Sequence, residues 1–202
     1  MVYAKNLSTV ETVALNTDFY YLVSKETRVE VGAELIKLEG GAGYLLQENG
    51  VACVALNVYL RENDAKSVLN SIKSSEKSLS VKKRAAQKLY LKTQTDKKNA
   101  CIYKGAFDSL YGCMQVLENC AFRLEKGMTQ ESCKRILKKV KGQLEYLSEE
   151  YKNTFPDFST LCENNVKVLE TMLTDIVFLK DLRYALCAMA GNYVDLTERF
   201  KL

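Results

Sequence analysis

The sequence predicts a mainly α chain, with an α+β variant open: an antiparallel bundle of long helices from about residue 63 to 202, preceded by a small β-containing region over residues 1–62. Three observations lead there. Between Tyr103 and Tyr151 apolar residues recur at alternating spacings of three and four, the rhythm of one buried helix stripe. A single proline in 202 residues leaves few obligatory breaks. Within the first sixty residues the rhythm changes toward period two. With 47% hydrophobic and 27% charged residues the composition is that of a globular chain rather than a disordered one.

In the N-terminal region Val29-Glu30-Val31 alternates, Asn49-Gly50 is a common two-residue hairpin turn, and Val54, Leu56, Val58 and Leu60 recur at every second position. Val51, Val54, Ala55 and Val58 also fit helical spacing. The reading is an antiparallel β region over residues 17–60, with helices as the alternative. Gly40-Gly41-Ala42-Gly43 reads as a turn.

Residues 63–93 read as one or two shorter helices. Asn63 or Asp64 caps a turn containing Val68, Leu69 and Ile72, and the polar run 74–78 forms a junction. Beyond it Val81, Ala85 and Leu89 make a thin apolar stripe on a helix that otherwise shows cations. Asp96 is the expected N-cap of the long helix that follows.

That helix carries Tyr103, Phe107, Leu110, Met114, Leu117, Ala121 and Leu124 on one seam, with Ala106, Cys113 and Cys120 widening it. Gly127 ends it and Thr129 caps the next. There Cys133, Leu137, Val140, Leu144, Leu147 and Tyr151 repeat the seam. Short connections between such helices imply antiparallel neighbours. The only proline, Pro156, marks the next break. A last helix is expected from Asp157 or Ser159 to about Phe200, with one interruption allowed. The uncharged stretch 185–191 lets a neighbouring backbone approach and is placed at the most buried crossing. Arg183, the one charge in the stripe formed with Leu179, Leu186 and Tyr193, is expected to snorkel to water; a buried, paired arginine is the alternative.

Chemistry is bounded mainly by what the sequence lacks. With no histidine, imidazole-dependent nucleophile activation, zinc and haem ligation are excluded. The glycine run at 40–43 has neither the Lys-Ser/Thr of a P-loop nor dinucleotide-site spacing. The seven cysteines form no C-x-x-C pair, so zinc knuckles and dithiol redox motifs are not written here. They read as free core thiols; Cys133, beside Lys134 and Arg135, is the only one flanked by cations that would activate it. No cofactor or metal is expected. Nor does any apolar run approach the roughly 20 residues of a membrane span. The opening Met1-Val2-Tyr3-Ala4-Lys5 lacks a signal-peptide pattern. Odd, unpaired cysteines then place the chain in the cytoplasm.

The net charge of +4 is unevenly spread: residues 63–105 hold eleven Lys or Arg against three acids. Lys82, Lys83, Arg84, Lys88, Lys92, Lys97 and Lys98 are the candidate nucleic-acid-binding residues, with Tyr90 and Tyr103 available to stack. No recognised nucleic-acid module accompanies them. The leading expectation is therefore a non-enzymatic binding or assembly protein whose helical surfaces engage a protein partner or a second copy of the chain. The alternative is a nucleic-acid-binding accessory protein that uses segment 77–104 for non-specific phosphate contacts.

Overall fold

The computed structural model describes residues 11–25, 28–38, 41–48, 51–72 and 79–200. Among them, four strands and seven helices follow in the order β1 (Glu11–Ser24), α1 (Val29–Leu38), β2 (Tyr44–Glu48), β3 (Val51–Tyr59), α2 (Glu62–Ser71), β4 (Leu79–Leu91), α3 (Gln94–Lys98), α4 (Ala100–Glu125), α5 (Gln130–Tyr151), α6 (Pro156–Thr174) and α7 (Leu179–Glu198). The strands form one antiparallel sheet in the order β2-β3-β1-β4. Helices therefore dominate and a small sheet accompanies them, as the mainly α reading with its α+β variant anticipates.

The sheet is apolar on both faces because its strands alternate. In β1, Phe19, Tyr21 and Val23 face α4 and α7, whereas Leu22 packs with Val54, Leu56 and Leu79 toward α1 and α2. In β3 an extra residue interrupts the register, with Leu22 opposite Asn57 and Val23 opposite Ala55. This bulge lets Ala55 and Val58 both reach the α4–α7 side. Glu48 stands opposite Val51, the register that a two-residue connection requires; Asn49 and Gly50 themselves lie outside the described residues, as do Gly40 and the polar run 74–78.

Two expectations are corrected here. Val29-Glu30-Val31 opens helix α1 rather than a strand. Residues 79–91, expected as a helix, form the edge strand β4, paired with β1 from Leu79↔Ser24 to Leu91↔Glu11. The four-residue spacing of Val81, Ala85 and Leu89 imitates a helix, while the true partition places Val81 on one face and Ala86 and Leu89 on the other. Long cationic side chains at Lys82 and Arg84 hide that alternation from the hydropathy pattern. The β structure thus extends past residue 62, and the helical reading of 63–93 holds only for α2.

From α4 onward the expected seams are the core. Phe107, Leu110, Met114 and Leu117 of α4, and Cys133, Leu137 and Leu144 of α5, are all fully buried. Thr129 caps α5 by accepting from the Ser132 N–H at 3.3 Å. Gly127 supplies the left-handed turn before it, at φ 91°, a conformation open chiefly to glycine. Asp96, however, does not cap the long helix. It closes a reciprocal capping box with Thr93 around the five-residue α3. The last helix is interrupted once, at 175–178, which yields α6 and α7. α4 packs against α5 and α7, α5 against α6, and α6 against α7.

The small-residue stretch of α7 meets the sheet. Tyr21 Oη donates to the Cys187 carbonyl at 3.1 Å, and Gly191 lies against Tyr44 and Tyr21. Among the described residues no helix is long and apolar enough to cross a membrane.

Candidate functional site

The structure spreads the seven predicted cations along the edge strand and the turn after it instead of gathering them on one helix face. Lys83 stands opposite Tyr20 and pairs with Asp18 at 2.6 Å, its ammonium 5.8 Å from the Tyr20 ring. Arg84 pairs with Asp195 of α7 at 2.8 Å and is largely buried. Lys97 reaches Glu11 at 3.4 Å. Lys82 is half-buried, whereas Lys88, Lys92 and Lys98 are exposed. Lys88 sits 4.9 Å from the Tyr90 ring. Tyr103 is unavailable for stacking on bases: it lies in the core 4.7 Å from Phe155. An edge strand gains a structural use from such cations, since charge there discourages pairing with a foreign strand.

A second region emerges that the sequence does not announce. Where β3 ends and turns into α2, a cleft of about 660 Å³ opens between α2 on one side and α4 and α7 on the other. A neighbouring hollow of about 400 Å³ lies toward Leu15–Asp18 of β1, where the register with β4 shifts between Ala14 and Thr17. Leu60, Arg61 and Tyr111 line both, so the two hollows adjoin and are taken together as one groove. Its long wall is α4. Asp108, Tyr111, Gln115, Glu118, Phe122 and Lys126 line it, spaced three and four apart on a ribbon beside the buried seam.

Three polar residues define the deeper part. Glu118 Oε1 accepts the Leu60 N–H at 2.9 Å, tying α4 to the end of β3. Burial pushes its carboxyl above the usual range, and neighbouring Asp64 adds to the rise, against the Leu60 hydrogen bond and Arg61. Arg183, expected to snorkel, is instead buried and held by Glu125 at 3.4 Å. Its guanidinium reaches from α7 to Glu125 of α4 at the wall of the cleft. Asn57 is 6% exposed and its Oδ1 has no hydrogen-bond partner. Its side chain hydrogen-bonds Tyr59, whose phenol burial pushes upward.

The flanked thiol, Cys133, is fully buried 3.5 Å from Cys120, and burial raises it rather than activating it. Among the described residues no three Cys, Asp or Glu side chains gather as metal ligands would. Sequence reasoning singled out Arg183 but missed Glu118 and Asn57. The visible signal was the polar ribbon on α4 with Tyr111 and Phe122 set into it; nothing in the sequence showed that α2 would lie across from it. Compared with protein-family models, curated proteins and solved structures, the chain matches none.

Proposed function

We propose that this chain is a non-enzymatic, cytoplasmic binding or assembly protein that receives a macromolecular partner in the groove walled by α4. In this reading α4 to α7 form an antiparallel bundle that holds the wall rigid. Supporting contacts are Cys120 with Cys133 at one end of α4 and α5, and Gly105 beside Tyr151 at the other. The single observation that carries the reading is the continuity of the two hollows along α4. From Asp108 to Lys126 the ribbon spans about 27 Å, longer than one small molecule occupies. Phe122, 59% exposed at the groove wall, supplies an apolar anchor of the kind that dominates interfaces.

The test is a photo-crosslinking residue placed at Gln115 in the groove or at Tyr146 on the far-exposed face of α5. Adducts that form at position 115, not at 146, and that vanish with Phe122→Asp support the reading; equal labelling at both positions rejects it. Light scattering on the same preparations reports whether the occupant is a second copy of the chain.

Nucleic-acid contact through β4 is the second reading, favoured by the exposure of Lys88, Lys92 and Lys98 along one edge. It requires a mobility shift that weakens steeply with salt and disappears in a Lys88→Glu, Lys92→Glu, Lys98→Glu variant. Absence of any shift at low salt eliminates it.

A further inference from the structure

Cys120, near the end of α4, and Cys133, in the first turn of α5, face each other across the turn that joins the two helices, sulfur to sulfur at 3.5 Å. They stand thirteen positions apart in the chain, and both are free and buried. A disulfide holds its sulfurs about 2 Å apart, so this pair has only about 1.5 Å to close. Burial raises both thiols. The S–H···S contact between them adds to the rise at Cys120 and opposes it at Cys133. Cys133 is therefore the readier nucleophile and Cys120 its neighbour in waiting.

A permanently sealed pair would be inert, so access decides what it can do. The seal is short: α4 ends at Glu125 and α5 begins at Gln130. One side chain clasps it to the rest of the bundle. Gln130 Oε1 accepts the Val177 N–H at 2.9 Å, and its Nε2 donates to the Val177 carbonyl at 3.0 Å. Val177 is itself buried in the break between α6 and α7. Helix ends open at lower free energy than the core they border, and release of this clasp frees the first turn of α5. In the opened turn burial no longer suppresses ionisation of Cys133. On closing, the same sulfur returns to Cys120.

We propose that Cys120 and Cys133 are a redox pair, which hydrogen peroxide converts into a disulfide fastening the end of α4 to the start of α5, with Gln130 gating the turn. The Cys133 thiolate attacks one peroxide oxygen. The O–O bond breaks, the sulfur keeps a hydroxyl as sulfenic acid, and the other oxygen leaves as hydroxide, which takes up the thiol proton as water. The Cys120 sulfur then attacks the sulfenic sulfur. The S–S bond forms as the S–O bond breaks, and the departing hydroxide carries off the Cys120 proton as a second water. The two sulfurs together give up two electrons, and the peroxide is reduced to water. Exchange with a dithiol reverses the bond. The pairing holds whatever occupies the α4 groove.

The test exposes the folded Cys53→Ser, Cys101→Ser chain to hydrogen peroxide and maps the products by mass spectrometry, with no core residue changed. The parent chain with its exposed thiols alkylated serves as a second substrate. A loss of about 2 Da is expected, located in a peptide pair that joins Cys120 to Cys133 and reversed by dithiothreitol. The oxidised chain should melt about 5 °C or more above the reduced one. Gln130→Ala should speed cross-linking several-fold, while Val116→Ala, exposed on α4, leaves the rate unchanged. Oxidation that ends at sulfinic acid without a cross-link, that needs urea to begin, or that joins Cys113 to its neighbour Cys162 instead overturns the pair. An oxidised chain that melts no higher overturns the fastening of the two helices. A rate that Gln130→Ala leaves at the parent's value overturns the gate.

Discussion

Gly191 and Tyr44 meet where α7 crosses β2: a Cβ on the glycine would stand 2.6 Å from the tyrosine hydroxyl. The tyrosine ring cannot swing away freely, because it packs edge-on against Tyr184 with centroids 5.6 Å apart. Gly191→Ala therefore sets a clash against the gain in helix propensity, up to about 1 kcal/mol. Overpacking of this kind costs about 1–3 kcal/mol, so a net loss of up to about 2 kcal/mol is expected in urea denaturation. Tyr44→Phe in the alanine background should recover most of it. An unchanged midpoint for Gly191→Ala would mean that the helix sits farther from the sheet.

Adjacent positions on α4 offer a sharper check of the seam. Leu117 is fully buried and Val116 is 43% exposed. Leu117→Ala should cost about 2–5 kcal/mol through lost contacts and a residual cavity. Val116→Ala should stay within about 0.5 kcal/mol. Comparable losses at the two sites in chemical denaturation would place α4 in a different rotation.

Glu118 predicts a pH-dependent difference. Its folded-state value is raised, chiefly by burial, so the protonated form suits the native state better than the ionised one. The associated stability is present in full below the unfolded carboxyl range and is lost as pH rises through the raised value. Glu118→Gln cannot ionise, and its amide oxygen still accepts from Leu60. The variant should melt higher than the parent at neutral pH, with the gap closing in acid. A gap that widens on acidification would show that the carboxylate is stabilised by an ionic partner.

The thiols should divide into two classes. Cys101 is exposed and Cys53 half-exposed, while the other five are buried. Burial pushes Cys113 up to about 11 and Cys120 and Cys162 to about 12. A disulfide reagent at neutral pH should modify Cys101 quickly and Cys53 more slowly, with all seven reacting only after unfolding. Because these folded values exceed the ordinary thiol value of about 9, their contribution is complete below that pH. It drains away as pH climbs toward 11. The melting temperature should therefore fall over that alkaline interval, and a flat profile there would place the thiols at the surface.

Sequence periodicity carried the helical half because each seam is continuous over three or more turns, long enough for the three-and-four rhythm to exclude other periods. Thr129 and Gly127 were legible for a related reason: capping and a left-handed turn are local demands met by local residues. β4 was not legible. A strand at a sheet edge shows water on several positions, and aliphatic stems of lysine and arginine cover apolar surface while reading as polar. Arg183 shows the converse failure. Its partner Glu125 lies fifty-eight positions earlier in the chain, so spacing along α7 could not reveal the pair. The groove is less legible still, since α2 and α4 define it jointly and neither element contains the evidence alone.

The strand order has a kinetic consequence. β1 lies between β3 and β4, and Phe19 and Tyr21 on one of its faces touch Tyr193 and Cys187 of α7, whose last residue is Glu198. On a ribosome the first of these strands is made long before its second neighbour, and longer still before its covering helix. Until residues 179–198 emerge, Phe19 and Tyr21 have only α4 over them and lack the contacts to Tyr193 and Cys187. Closure of so long a loop is slow relative to local helix formation. A nascent chain paused short of α7 should thus be the species most in need of a chaperone.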